Sequence, residues 1–438
     1  MSGEEAVTRV RPAAPGAKVT RLELFYDLVF VFAFIHLNTT SAKHLDAFSL
    51  LAIFLLLGAL WLVWSRFAVL GNNIRADQGV MPIVGFAIMT AIFVSVASLP
   101  EFGGPPERRA AGVPLAIPGE LIFPACYALI WLLEILALRH AAKGYPWLRK
   151  LWWRSAPALA LSTVLLVVAA FLPPQVGGNA GIITFIALWA VAIATAYLAA
   201  IRTDALAVVS AGHWTERHAQ IILIALGESV ISLGIGANLL SGTPLTVPLL
   251  AATLLGIALI CALWWTYFDA RSYGAEQVLH HTQGIDRARL ARDAYTLLHF
   301  PMVFGVVLLS LGIKQVLDHL ASLAGNEDPD AVLNPIHLRV LYAGVLLYLL
   351  ALLAFQARVS RNVDWLAALP ILLIGAILPV ADRLSPFTAL AVLSVITVGT
   401  VALETVRYRG ARRQLRSQQL AEQQALESEE TDWRRRHL

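Results

Sequence analysis

Two carboxylates stand where a carboxylate is expensive. Glu228 lies in the run Thr215-Glu-Arg-His218-Ala-Gln-Ile-Ile-Leu-Ile-Ala-Leu-Gly227-Glu228-Ser229-Val, ten residues past His218. At 1.5 Å per helical residue that is about 15 Å, the midplane of a bilayer if the span opens at His218. Asp27 lies in Arg21-Leu-Glu23-Leu-Phe25-Tyr-Asp27-Leu-Val-Phe, four residues after Glu23 and so on the same helical face. It sits about 8 Å inside a span that opens at Leu22. An acid at the centre of a span costs about 2.5 to 3.5 kcal/mol on insertion scales, so each needs a partner or a task. For Asp27 two readings stay open: an ion pair or cap involving Arg21 or Arg66, or a place on a polar path. Glu228 also has two. With no basic residue expected inside any apolar run, its company is water, hydroxyls or a visiting cation; otherwise it is a neutral carboxyl bonded across helices. Gly227 before it, with Gly234 and Gly236 after it, allows close helix approach or local unwinding beside the acid.

Other polar residues in apolar runs carry less. Glu134 and Glu404 lie near Arg139 and Arg407 and read as interfacial pairs, and His36 and His299 as histidines satisfied by a neighbouring hydroxyl or carbonyl. His213 and His218 are five apart, which does not turn both rings to one side, so this stretch reads as a helix start with Thr215 and His218 at the interface. Trp61, Trp64, Trp264 and Trp265 fit an aromatic belt.

The elements that must carry these residues follow from composition. Of 438 residues, 58% are hydrophobic and 14% charged, against about 25% charged in soluble domains. A mean hydropathy of +0.69 places the chain among all-α polytopic membrane proteins. Segments of about 20 apolar residues begin near residues 22, 46, 79, 120, 155, 179, 218, 246, 294, 337, 363 and 385, which makes twelve spans. Connections rich in Gly and Pro separate them: Glu101–Pro106, Pro173–Gly178, Ser241–Pro244 and Gly325–Pro329. Of the 33 lysines and arginines, 27 fall in alternate connections counted from the N-terminus, as twelve spans with both termini cytosolic require. The expected order is a disordered N-terminus over 1–20, six-helix halves over 21–205 and 206–406, and a charged, Gln-rich cytosolic tail over 407–438, solvated as helix or disordered. Residues 274–292, which mix acids, histidines and arginines, read as an interfacial helix. Setting Asp27 against Glu228 brings Trp64 onto Trp265 and Phe67 onto Phe268, an echo that suits a 6+6 parallel repeat with the two acid-bearing helices facing each other.

Composition also limits the function. Cys126 and Cys261 both lie in apolar runs and offer neither a disulfide framework nor a zinc site, so no metal and no cofactor is expected. The net charge of +4 comes from short basic clusters between spans, which orient a membrane protein and do not indicate nucleic acid.

Three stretches carry a family resemblance: Glu23-Leu-Phe-Tyr-Asp27-Leu-Val-Phe-Val-Phe; Glu216-Arg217 with Ala225-Leu-Gly227-Glu228-Ser229; and Trp264-Trp265-Thr-Tyr267-Phe268-Asp269. Together they resemble the bacterial low temperature requirement A family, whose pattern reads approximately E-L-F-F-D-L-V-F-V-F, E-R followed by A-L-G-E-S, and W-W-x-Y-F-D. His218 stands where that pattern has an aromatic residue. The family's name records cold growth and implies no reaction. Arg21-x-x-x-Phe25-Tyr26-Asp27 is also similar to the Arg-x-x-x-Phe-Ser-Asp opening of the six-helix-repeat lysosomal and bacterial potassium channels, with Tyr26 in place of serine.

The resulting expectation is an ion or small-solute permease of a bacterial plasma membrane. Glu228 and Asp27 would handle a cation or proton, with Ser229 and Gly227 beside them. Glu23, Arg21, Arg66, Glu216, Arg217, Trp64, Trp265, Tyr267 and Asp269 would support them. The lipid bilayer is the expected partner, a cation or small solute the ligand, and self-association is left open. A membrane-embedded enzyme acting on a lipid would need clustered acids or a nucleophile with a base, and only the loose set Asp269, Arg271 and Asp286 offers one. A sensor or scaffold of membrane state, with the tail as its output, is the third class.

Overall fold

A computed structural model describes residue 13 and residues 16–41, 45–98, 119–142, 148–202, 208–239, 244–324, 333–362 and 365–437. The connections expected at Glu101–Pro106 and Gly325–Pro329, most of that at Ser241–Pro244, and most of the N-terminal lead-in lie outside these residues.

Within them the chain is all-helical. Eight apolar helices come first: α1 Arg21–Ser41, α2 Ala47–Asn73, α3 Met81–Ala97, α4 Gly119–Ala142, α5 Leu148–Val176, α6 Gly178–Arg202, α7 Ala211–Gly236 and α8 Val247–Phe268. Two short helices follow, α9 Arg271–His281 and α10 Gly284–Leu290, where the interfacial helix is expected. A π-helical stretch, Ala291–Leu297, leads into α11 Leu298–Ala324, and then come α12 Pro335–Ser360, α13 Trp365–Ile377, a 3₁₀ turn Leu378–Arg383, α14 Pro386–Arg407 and the tail helix α15 Arg409–His437. Eleven segments are long and apolar enough to cross a membrane, and α3, at 17 residues, is a shorter apolar helix. Each of the twelve expected spans therefore has its helix. The largest boundary differences are at α5 and α7, each of which opens seven residues earlier than expected. At α7 the cause is the Ser210 cap, whose side chain accepts the His213 N–H. The charged first turns lower the hydropathy without ending the helix. The Pro173–Gly178 connection contracts to a sharp turn, with Gly177 and Gly178 at φ of +70° and +52°, which glycine adopts without a Cβ clash.

The register of the central helices is unusually plain. Glu23 meets His213, Asp27 meets Arg217 and Asn38 meets Glu228, each pair 190 residues apart. A constant difference in residue number means that α1 and α7 run parallel, side by side, through the bundle. The His218 ring meets that of His299, and Asn38 bonds both Glu228 and Ser310, so α11 runs parallel to α7 as well. Against α1 the partner α2 is antiparallel: Trp64 reaches Asp27, and Gly71 lies against Glu23 one to two turns further toward the end where α1 begins.

α11 lies deepest, against α7 and α12. A Cβ at Gly305 or Gly344 would fall 2.7 Å from the other glycine's carbonyl oxygen, so only hydrogen side chains let these two backbones approach. Outward-facing Leu132, Leu136, Val164, Phe171 and Ile183 on α4, α5 and α6 leave an apolar surface suited to lipid. The tail forms a helix in which no residue is buried.

Candidate functional site

Three polar layers are stacked along the groove between α1, α7 and α11. The first lies where α1 and α7 begin. Asn72, at the end of α2, accepts the Val209 N–H at 2.8 Å and donates to the Ser210 carbonyl at 2.7 Å, which fixes the orientation of its amide. Its NH₂ therefore donates to His213 Nδ1 at 3.2 Å, and His213 Nε2 carries the proton donated to Glu23 Oε1 at 2.9 Å. Thr20 donates to Glu23 Oε2 through both its N–H and its hydroxyl, each at 2.9 Å. A Cβ at position 71 would land on the Glu23 carboxylate, so glycine is required there by close approach.

Arg217 is fully buried four residues further along α7. Its Nη1 donates to Asp27 Oδ2 at 2.5 Å and to the Glu23 carbonyl at 3.1 Å, its Nε lies 3.9 Å from Glu23 Oε1, and its guanidinium sits 5.5 Å from the centre of the Trp64 ring. Trp64 Nε1 donates to the other Asp27 oxygen at 3.0 Å. The expectation that no basic residue lies inside a span is thereby corrected. Arg217, Arg66 and Lys314 all belong to apolar helices, and the partner of Asp27 is Arg217, not Arg21 or Arg66. Arg217 tolerates burial because two carboxylates, a carbonyl and an aromatic face surround it. A recess of about 470 Å³ opens onto this layer, lined by Lys18, Arg21, Glu23, Gly71, Arg75 and His213 among others. At its rim Arg75 donates to both Asp77 oxygens, at 2.9 and 2.7 Å, and these hydrogen bonds hold the Asp77 carboxyl below its usual range.

The second layer is aromatic. His218, expected at an interface, is fully buried: its Nδ1 donates to the Trp214 carbonyl at 2.8 Å, and its ring meets those of Trp64, Tyr295 and His299. His299 donates through Nδ1 to the Ala294 carbonyl at 3.0 Å and accepts the Tyr267 hydroxyl proton on Nε2 at 2.8 Å. Trp61 Nε1 donates to the Thr296 carbonyl of the π-helical stretch at 3.0 Å. Trp61 and Trp64 are thus core residues and not an aromatic belt.

The third layer holds Glu228, eleven residues and about 16 Å beyond Arg217. Its Oε1 accepts from Ser232 at 2.5 Å and from Asn38 at 3.1 Å, while Asn38 also donates to Ser310 at 3.0 Å. Glu228 Oε2 is buried and has no hydrogen-bond partner among the described residues. One helical turn beyond Ser310, Lys314 Nζ lies 3.5 Å from Thr39 Oγ1. Asp27 and Glu228 therefore do not face each other across an axis; each is bonded across the same helix pair, at different depths.

The remaining expected residues fall elsewhere. Gly227 is exposed, with nothing within 4 Å of a Cβ built on it, and Ser229 bonds to the Ala225 carbonyl at 3.2 Å, so neither joins the Glu228 layer. Arg21 is exposed at the recess, Glu216 is exposed and accepts the Val19 N–H at 3.2 Å, and Tyr267 belongs to the aromatic layer through His299. Arg66 lies 3.9 Å from Glu134, which replaces the Glu134–Arg139 pair expected, and Glu404 pairs with Arg271 at 3.1 Å and Arg412 at 3.5 Å in place of Arg407. Asp269 is clamped by Arg412 and Arg416 of α15, and Arg416 also lies over the half-buried Trp265. Asp286 pairs with Arg289, so the loose set Asp269, Arg271 and Asp286 is dispersed among separate ion pairs. Trp64 and Trp265, matched in the internal echo, have unlike surroundings. Among the described residues no three His, Cys, Asp or Glu side chains gather as a metal site. Asn72, Asn38, Ser232, Ser310 and Lys314 carry no site signal in the sequence beyond, for the two asparagines, an amide within an apolar run, and His213, read there as part of a helix start, joins the first layer.

The sequence model of the bacterial low temperature requirement A protein (LtrA) family matches residues 18–402. The chain belongs to this family. An uncharacterized protein of Rhizobium meliloti (strain 1021) is 24% identical over 311 residues, covering 68% of this chain and 69% of its own length. No solved structure matches. None of these comparisons supports the likeness to potassium channels, and in the structure Arg21 and Phe25 of that stretch are exposed, away from Asp27. All three LtrA motifs lie inside the matched region, and the first two meet in one place, where Glu23 and Asp27 of one enclose Arg217 of the other. The tail helix lies outside the LtrA match, yet it binds Asp269, the last residue of the third motif.

Proposed function

We propose that this LtrA-family membrane protein is a permease for a small cation or the proton, which moves along the polar layers between α1, α7 and α11. The observation that carries the reading is the Glu228 carboxyl, fully buried, 17 residues into α7 and 8 before its end, and saturated on one oxygen only. A carboxyl kept only for packing gains from having both oxygens bonded, as Asp27 has. The recess at Glu23 and His213 gives the column an aqueous approach at the end where α1 begins. The excess of basic residues in alternate connections supports placing that end on the cytosolic side.

The test is reconstitution into sealed vesicles with K⁺, Na⁺ and H⁺ gradients imposed in turn. The expected result is flux by the wild type that Glu228→Gln reduces at least about tenfold, the change produced by about 1.4 kcal/mol. Undiminished flux in that variant removes Glu228 from the path, and absence of any cation or proton flux in the wild type overturns the permease reading.

A further inference from the structure

The bonding around Glu228 also indicates what it binds. Asn38 and Ser232 both donate to Glu228 Oε1, and Asn38 uses the same NH₂ group toward Ser310. A carboxylate oxygen only accepts, so it is the Asn38 nitrogen that meets Glu228 Oε1. Asn38 Oδ1 and Glu228 Oε2 are then two buried acceptors, on adjacent helices of the same layer, neither with a donor among the described residues. Hard oxygens from a carboxylate and an amide, with the Ser310 hydroxyl beside them, form a ligand set for a hard cation. A proton on Oε2 donated to Asn38 Oδ1 is the competing way to satisfy both oxygens, and alkali-ion binding measured beside proton flux separates the two.

Charge selects among hard cations. The site holds one carboxylate, and a basic side chain, Lys314, stands one turn past Ser310 on α11 with its Nζ at Thr39, the residue after Asn38. With the Lys314 charge displaced, one positive charge neutralises Glu228, whereas a divalent ion leaves an excess in a buried site. Lys314, held at Thr39 next to Asn38, supplies a competing positive charge at the edge of the site. We propose that Glu228 Oε2, Asn38 Oδ1 and Ser310 Oγ bind one alkali-metal ion, and that Lys314 weakens this binding by competition. This deepens the permease reading and rests on it for the site's place on a path, though binding can be measured without flux.

The experiment is equilibrium binding of ²²Na⁺ to the purified full-length protein, with Li⁺, K⁺ and Mg²⁺ as competitors, run beside the vesicle fluxes. The proposal expects saturable binding of one Na⁺, displaced by Li⁺ or K⁺ and not by equimolar Mg²⁺. It expects binding weakened at least about tenfold in Glu228→Gln and in Asn38→Ala, and tightened severalfold in Lys314→Gln. Lys314 is only partly buried, so its variant keeps the test alive if Asn38→Ala fails to fold. No saturable alkali-ion binding by the wild type, with proton flux that Glu228→Gln abolishes, overturns the cation site and leaves the permease reading standing. Na⁺ binding lost in Glu228→Gln, with no flux in any vesicle, overturns the permease reading and leaves the site. Binding that Lys314→Gln leaves unchanged overturns the competition.

Discussion

Asp27 and Glu228 are both fully buried acids, and both bond across the same pair of parallel helices at the same register of 190 residues. Their surroundings are opposite. Asp27 has a guanidinium on one oxygen and an indole N–H on the other, within a cluster that also satisfies Glu23 from Thr20 and His213. Glu228 has two donors on one oxygen and none on the other among the described residues. A saturated acid holds helices together, whereas a half-saturated one keeps coordinating capacity in reserve.

The contrast breaks first at Arg217. Arg217→Met leaves Glu23 and Asp27 buried without their counter-charge and is expected to cost about 3 to 5 kcal/mol, read as lost folded yield or a lower Tm in detergent. Adding Asp27→Asn to that variant removes one of the stranded charges, so the double variant is expected to recover part of the loss. A smaller effect is expected at the glycine beneath the same cluster. Gly71→Ala drives a methyl into the Glu23 carboxylate, with a cost of about 1 to 3 kcal/mol by thermal unfolding. At the other acid, Glu228→Gln keeps volume and hydrogen-bonding capacity, so stability is expected to move by less than about 1 kcal/mol while flux falls. A large drop in Tm for Glu228→Gln would erase the distinction between the two acids. The smallest effect belongs to the tail: Arg416 is largely exposed and Asp269 keeps Arg412, so Arg416→Ala is expected to lower stability by at most about 1 kcal/mol, read by thermal unfolding, and less in high salt.

Helices and costly acids were legible in the sequence because both follow from bilayer thickness and transfer cost, which residue types report directly. Partners were legible only where they are local. The Glu23 and Asp27 face followed from a four-residue spacing, but Arg217 was assigned to a loop because hydropathy averages it with Glu216 and His218. Its true position depends on the Ser210 cap and on acids 190 residues away. The interfacial pairs of Glu134 and Glu404 were sought among sequence neighbours and were found on other helices. Asn38 gives no comparable sequence signal, because an amide costs far less in a span than a charge, although it joins α1, α7 and α11 at one point. The outward direction of Gly227 and Ser229's bond within its own helix depend on helix rotation, which proximity to Glu228 in sequence does not reveal.

The shared register of α1 and α7 has a mechanical consequence. Three cross-links at residues 23, 27 and 38 of α1, all at one offset of 190, act as rungs of a single ladder. Sliding one helix along the other strains every rung together, so shear meets a summed resistance with no intermediate stop. Rotation of the joined pair against its neighbours strains none of them. Any rearrangement that exposes Glu228 first to one face and then to the other therefore carries α1 and α7 as a single beam and places the hinge in their connections to the rest of the bundle.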